Sequence, residues 1–227
     1  MHRISIAGRE IGADRPPYVI AEMSANHNGS LNRAFEILDA AKAAGADAVK
    51  LQTYRADTIT IDHDGPEFLL KDGLWAGRRL YELYADAAMP WDWHGPLFQH
   101  ARKIGITVFS SPFDRTAIDL LQSLEAPAFK VASLEMADLP LIKRMAATGK
   151  PLIMSTGASE LSEIADAVAA ARAGGCKEIM LLQCTSGYPT PPGDSNLRTI
   201  ANRGETFDCV VGLSDHTMGT AVPVAAL

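Results

Sequence analysis

Two lysines stand where lysine is expensive. Lys50 lies in "AVKLQ" and Lys130 in "AFKVA", each flanked by apolar residues of a β-rich run. An ammonium buried there without a partner costs several kcal/mol. Together with Ser133, Ser155 and Ser214, two inward lysines would form a compact site for a phosphate or a carboxylate, the lysines supplying charge and the hydroxyls direction. A buried lysine also suits a Schiff base to a carbonyl substrate, and spacing alone does not separate the two chemistries. The bland alternative is a lysine snorkelling from an edge strand. A second cluster follows an apolar run in "IAEMSANHNGS", where Glu22, Ser24, Asn26, His27 and Asn28 fall within seven positions. It reads either as a solvated turn before a helix capped by Ser30 or as part of a site at a strand end. His216 in "SDHT" could be a hydrogen-bonded residue or a metal ligand, and no second histidine lies at ligand spacing from it. His94 and His100 read as surface residues.

These residues must be positioned by something, and the pattern along the chain says what. "RISIAGREIG" alternates and turns at Ala7–Gly8, predicting a short β-hairpin. Beyond it one unit recurs: a short β-rich run, a polar tip, then a helical stretch with apolar residues at 3.6 spacing. Seven strands are expected, starting at Tyr18, Ala48, Thr107, Ala128, Leu152, Ile179 and Val210. Ser30 and Asp114 are expected to cap two of the intervening helices, and "ASELSEIADAVAAARAGG" predicts a third that ends in glycine. Strands alternating with helices imply a parallel sheet. The absence of any G-x-G-x-x-G turn or P-loop takes support from the nucleotide-binding readings. The expectation is therefore a TIM-type (β/α)8 barrel, incomplete as given, with seven strands and the eighth missing, in one domain over residues 1–227.

Barrel enzymes work at the C-terminal ends of their strands. Those ends carry Glu22, then Lys50 and Gln52, then Ser110, Ser111 and Asp114, then Lys130, Ser133 and Glu135, then Ser155 and Thr156, then Gln183, Thr185 and Ser186, then Ser214, Asp215 and His216. One spacing is irregular: 59 residues separate the second and third strand starts. That gap, which holds all three tryptophans, reads as a long loop able to shape a substrate site.

Composition closes off several classes. A net charge of -6 without a run of basic residues gives no footprint for nucleic acid or an anionic membrane. No stretch approaches the roughly 18 apolar residues of a membrane span, and "MHRISIAGRE" lacks a signal-like apolar segment, so a cytoplasmic location is expected. Cys176, Cys184 and Cys209 lack the paired spacing of a zinc site and read as reduced core residues.

The motifs "YVIAEMSANHNGSLNRAFEILDAAKAAGADAVKLQTY", "FKVASLEMADLPLI", "PLIMSTG", "LLQCTSGYPTPP" and "VGLSDHT" resemble the sialic acid synthase family over essentially the whole chain. "GLWAGRRLYELYADAAMPWDWH" is similar to the branch called pseudaminic acid synthases. The resemblance implies a metal-dependent barrel, using Mn2+, Mg2+ or Co2+, that condenses phosphoenolpyruvate with the aldehyde of 2,4-diacetamido-2,4,6-trideoxy-L-altrose to give a nine-carbon ulosonic acid. It implies that Lys50, Lys130, Ser133, Ser155, Ser186 and Ser214 bind phosphoenolpyruvate and that Glu22, Gln52 and Glu135 serve the reacting atoms. It further implies that Asn26 and Tyr188 face the sugar, that His216 is one of two metal-ligating histidines, and that the protein is a homodimer. Where sialic acid synthases have "CTNIYP" this chain has "CTSGYP", which bears on the acceptor sugar. By the same resemblance, the eighth strand, the second histidine and a small antifreeze-like lid domain would follow Leu227. Three rivals remain: a synthase of sialic or legionaminic acid, a catalytically silent fragment that binds phosphoenolpyruvate or a partner chain, and a Schiff-base aldolase using Lys130.

Overall fold

The computed structural model describes residues 2–73 and 75–227; Leu74, part of the "GLWAGRRLYELY" signature, lies outside the described residues. The chain forms two compact units, one of Val19–Ala126 and one of Met1–Tyr18 with Pro127–Leu227.

The predicted hairpin is β1 (Ile4–Ile6) and β2 (Arg9–Ile11), paired antiparallel with Ile6 opposite Arg9. Ala7 and Gly8 both take positive φ, 50° and 82°, as a two-residue hairpin turn requires. Ile4, Ile6 and Ile11 are buried, and the Ser5 amide donates to Glu178 Oε1 at 2.7 Å, which ties the hairpin to the later part of its own unit.

In the Val19–Ala126 unit, β3 (Ile20–Glu22) is followed by α1 (Leu31–Ala43), whose first turn is capped by Ser30 accepting from the Arg33 amide. Next come β4 (Ala48–Thr53) and the short α2 (Ala56–Ile59). The segment expected to be a long loop then builds α3 (Leu80–Ala87) before α4 (Trp91–Ile104) begins, with a bridge between Leu69 and Arg79 below it. Strand β5 (Thr107–Pro112) and helix α5 (Arg115–Ser123) complete the unit. Strands β3, β4 and β5 pair in parallel in chain order. Helix α4 overturns one expectation. His94 is not a surface residue; it is fully buried on the same face as Leu97, Phe98 and Ala101, an i, i+3, i+4, i+7 stripe.

In the other unit, β6 (Phe129–Val131), α6 (Leu139–Ala146), β7 (Leu152–Ser155), α7 (Leu161–Ala173), β8 (Ile179–Cys184), α8 (Thr199–Phe207), β9 (Val210–Ser214) and α9 (Ala221–Ala225) follow one another. Strands β6 to β9 are parallel and adjacent in chain order. All seven expected strands are therefore present, three in one unit and four in the other. Strands β4 and β8 are buried almost without a break, as in parallel sheets covered by helices, so the polar residues they carry are conspicuous. Among the described residues no helix is long and apolar enough to cross a membrane.

Candidate functional site

In the Val19–Ala126 unit the chemistry gathers where β3 and β4 end. Glu22 and Lys50 are register partners on these strands, and their side chains form an ion pair. Lys50 is only 8% exposed, so the Glu22 carboxylate supplies the charge that lets an ammonium stay there. The other Glu22 oxygen accepts from the Ser24 amide at 2.9 Å, and Ser24 Oγ reaches Gln52 Oε1 at 3.3 Å. Lys50 and Gln52 are two apart on one strand and so point to one face. The structure thus joins Glu22, Lys50 and Gln52 in one network through Ser24.

Other residues of this unit take structural parts. Asn26 is exposed and bonds the Met23 carbonyl at 2.9 Å. His27 does not shape a rim. It is 1% exposed, accepts from the Gly29 amide at 3.2 Å and meets Trp93 edge to face at 5.5 Å. Burial pushes its imidazole below the usual histidine range. Ser110 belongs to a buried chain in which Thr53 Oγ1 lies 2.7 Å from Ser110 Oγ and 2.9 Å from His94 Nε2. Asp114 caps α5, accepting from the Thr116 and Ala117 amides. Ser111 Oγ is buried with no partner among the described residues. Directly after β4, Tyr54, Arg55, Asp57, Tyr81 and Trp91 border an open groove of about 630 Å³, with the Arg55 guanidinium 4.5 Å over the Trp91 ring.

In the other unit, β6 delivers Lys130, also 8% exposed, and the following turn delivers Ser133 and Glu135. Burial pushes the Glu135 carboxyl above the usual carboxylate range, with its own amide and nearby Lys130 pulling it back in part. Ser133 Oγ donates to Cys184 Sγ at 3.4 Å. The same sulfur lies 4.0 Å from Ser186 Oγ and 3.9 Å from His216 Nδ1, and Cys184 is the register partner of Ser214. Burial alone would raise the Cys184 thiol, but hydrogen bonds from His216, Ser133 and Ser214 outweigh it and bring the thiol down to about 7. That same thiol is the main cause of a raised His216 imidazole, which burial opposes. His216 Nδ1 donates to the Thr185 carbonyl at 2.9 Å, which leaves Nε2 as the acceptor nitrogen, and the exposed Tyr188 ring stacks on the imidazole at 4.2 Å. Ser155 Oγ is buried with no partner among the described residues, a hydroxyl in want of an acceptor or donor.

This unit therefore brings Ser133, Ser186, Ser214 and His216 together around Cys184, with Lys130 on the strand before Ser133 and Glu135 on the turn after it. Gln183 and Asp215, two other polar strand tips, serve the scaffold: Gln183 joins Ser195 and Arg203, and Asp215 accepts from the Thr217 amide and hydroxyl. Sequence reasoning placed Cys184 in the core and missed its polar company. The signal was its position, one residue before the polar run Thr185–Ser186 at a strand's end. Among the described residues no group of three His, Cys, Asp or Glu side chains could hold a metal, and His216 is an oriented donor.

Parallel strands with their polar residues at the C-terminal ends, alternating with helices, define the (β/α)-barrel class. The NeuB family profile matches residues 37–227, and the chain belongs to that family. The pseudaminic acid synthase of Helicobacter pylori is 45% identical over 212 residues, 93% of this chain and 62% of that protein. The N,N'-diacetyllegionaminic acid synthase of Legionella pneumophila is 35% identical over 220 residues, 95% of this chain and 62% of that protein. The crystal structure of a sialic acid synthetase from Leptospira borgpetersenii in complex with citrate matches with a TM-score of 0.88 at 28% identity, covering 99% of this chain and 74% of that one. The chain thus spans 62% of the length of the curated relatives it matches.

Proposed function

We propose that this chain carries the catalytic barrel of a pseudaminic acid synthase, which joins phosphoenolpyruvate to 2,4-diacetamido-2,4,6-trideoxy-L-altrose. The observation that carries the reading is the pair of nearly buried lysines, each within a parallel strand with a carboxylate close by. A trianionic donor needs that: fixed positive charge held in a dry site, with hydroxyls to set its direction. The choice of sugar follows the higher identity to the pseudaminic synthase, 45% against 35% for the legionaminic one.

In this reading Lys130, Ser133, Ser155, Ser186 and Ser214 hold the donor, and in the Val19–Ala126 unit Lys50 is the cation that fixes Glu22. The C3 carbon of phosphoenolpyruvate forms the new bond to the aldehyde carbon, water adds at C2, and the C2–O bond to phosphate breaks. Glu22, already bonded to Lys50, is the carboxylate that accepts a proton from the attacking water. Glu135, held toward its protonated form by burial, can donate one to the new alkoxide. Tyr188 offers the sugar an exposed aromatic face. A divalent metal belongs to the proposal only as far as His216 Nε2 offers one ligand. A cytoplasmic location and a homodimer complete it.

The test is phosphate release from phosphoenolpyruvate with the L-altrose acceptor and with the corresponding acceptors of legionaminic and sialic acid. The 227-residue chain should be assayed beside a version extended to its relatives' length, with and without Mn2+. Release with the L-altrose acceptor supports the reading. Preference for another acceptor overturns the sugar assignment, and no release from either version with any acceptor overturns the reaction.

A further inference from the structure

Gly157 follows β7 and Thr156, and its φ is not in the left-handed region, so its backbone is open to any residue. Space is what excludes a side chain. A Cβ built there would lie 2.5 Å from Ser186 Oγ, 2.9 Å from Ser133 Oγ and 3.1 Å from Cys184 Sγ, closer than real Cβ atoms come to side-chain oxygens. Three polar side chains from two different strand ends therefore converge on one point, and a missing methyl group is what lets them do so. Both hydroxyls approach that point, and Ser133, whose single O–H rests on the weak sulfur acceptor Cys184 Sγ at 3.4 Å, can turn it to an anion held there.

We propose that Gly157 is a positioning residue of the donor site: its absent side chain is the space that allows Ser133 and Ser186 to turn their hydroxyls onto a shared phosphate group. The inference rests on the reading of Ser133 and Ser186 as phosphoenolpyruvate-binding residues. An alanine at 157 pushes Ser186 first, because that contact is shortest, and then Ser133, so donor binding falls although neither serine has been changed.

Calorimetric binding of phosphoenolpyruvate, and of inorganic phosphate as a minimal probe, to the 227-residue chain tests this. Gly157→Ala should weaken phosphoenolpyruvate about tenfold with little change in melting temperature. Ser186→Ala removes the oxygen that the new methyl would strike, so adding Gly157→Ala to it should cost markedly less than in the parent chain. That non-additivity separates positioning from a general packing defect, which would add in full. If the parent chain binds and Ser133→Ala weakens it, but Gly157→Ala binds as the parent does, the positioning role is wrong and the donor site stands. If the parent chain binds neither probe, or Ser133→Ala and Ser186→Ala bind normally, the donor-site reading fails and the inference goes with it.

Discussion

Glu22 and Lys50 sit directly across from each other on β3 and β4 and close an ion pair in which the lysine is nearly buried and the glutamate side chain is 43% exposed. The carboxylate proposed for catalysis is thus also the counterion of a buried cation. Glu22→Gln should therefore do two things: abolish turnover in the active enzyme, and lower stability by on the order of 1–3 kcal/mol, the worth of a hydrogen bond to a charged group. Urea unfolding checks the second. An unchanged midpoint would mean that Lys50 finds other partners.

Lys130→Met should weaken both the fold and donor binding. Lys130 is nearly buried with Glu135 nearby, and removing one partner of a buried charged group is destabilising. The unfolding midpoint should fall, while phosphoenolpyruvate affinity, measured well below that midpoint, drops on the order of 10- to 100-fold, the loss of one charge-assisted contact. Affinity retained by the variant would remove Lys130 from the donor site.

His94 and His27 predict the acid limb of the stability profile. Burial depresses both imidazoles, with the Pro90 and Trp91 carbonyls and Asp92 only partly offsetting it at His94. The unfolded chain therefore takes up these protons first, from about pH 6.5 downward. Stability is fully present above that pH and falls as pH drops toward the depressed folded values. His94→Gln should lower stability at pH 7.5 through loss of packing and of the Thr53 bond, yet shrink the difference between pH 7.5 and 5.5. A difference equal to the parent's would exclude His94 as a source.

Asp114 is predicted to matter for folding and not for turnover. Its Oδ1 accepts from the Thr116 amide at 2.7 Å and the Ala117 amide at 3.0 Å. Burial would raise its pKa, but these bonds and the Thr116 and Thr58 hydroxyls win and depress it. The cap's stabilisation is thus present above the unfolded value near 3.9 and lost as pH falls through the folded one. Asp114→Ala should cost about 1 kcal/mol and Asp114→Asn much less, with kcat unchanged in both. A fall in kcat for Asp114→Asn would move this residue into the site.

The seven strands, the hairpin and the Ser30 and Asp114 caps were legible because each is written in a local pattern: alternation, an apolar run, or one polar residue before a helix. The lysines were legible for the opposite reason, as charges inside such a pattern. His94 could have been placed correctly, since Leu97, Phe98 and Ala101 complete its stripe along α4; polarity hid it. Helix α3 was hidden within a segment whose tryptophans and glycines mask its period. The cluster at Cys184 was legible only in part: the polar run after it marks a strand end, but strand order, and no local pattern, brings it to Ser133, Gly157 and His216. No local pattern shows that a glycine is required by a serine 29 positions later.

The bond from the Ser5 amide to Glu178 spans 173 residues of chain. During synthesis the N-terminal hairpin leaves the ribosome first, but Glu178 follows 173 residues after Ser5. At the usual 5–20 residues per second that delay is roughly 10–35 s. The contiguous Val19–Ala126 unit has no such wait and can be complete while the hairpin is still idle. The order of assembly therefore departs from the order of synthesis: the first strands made wait for partners made much later.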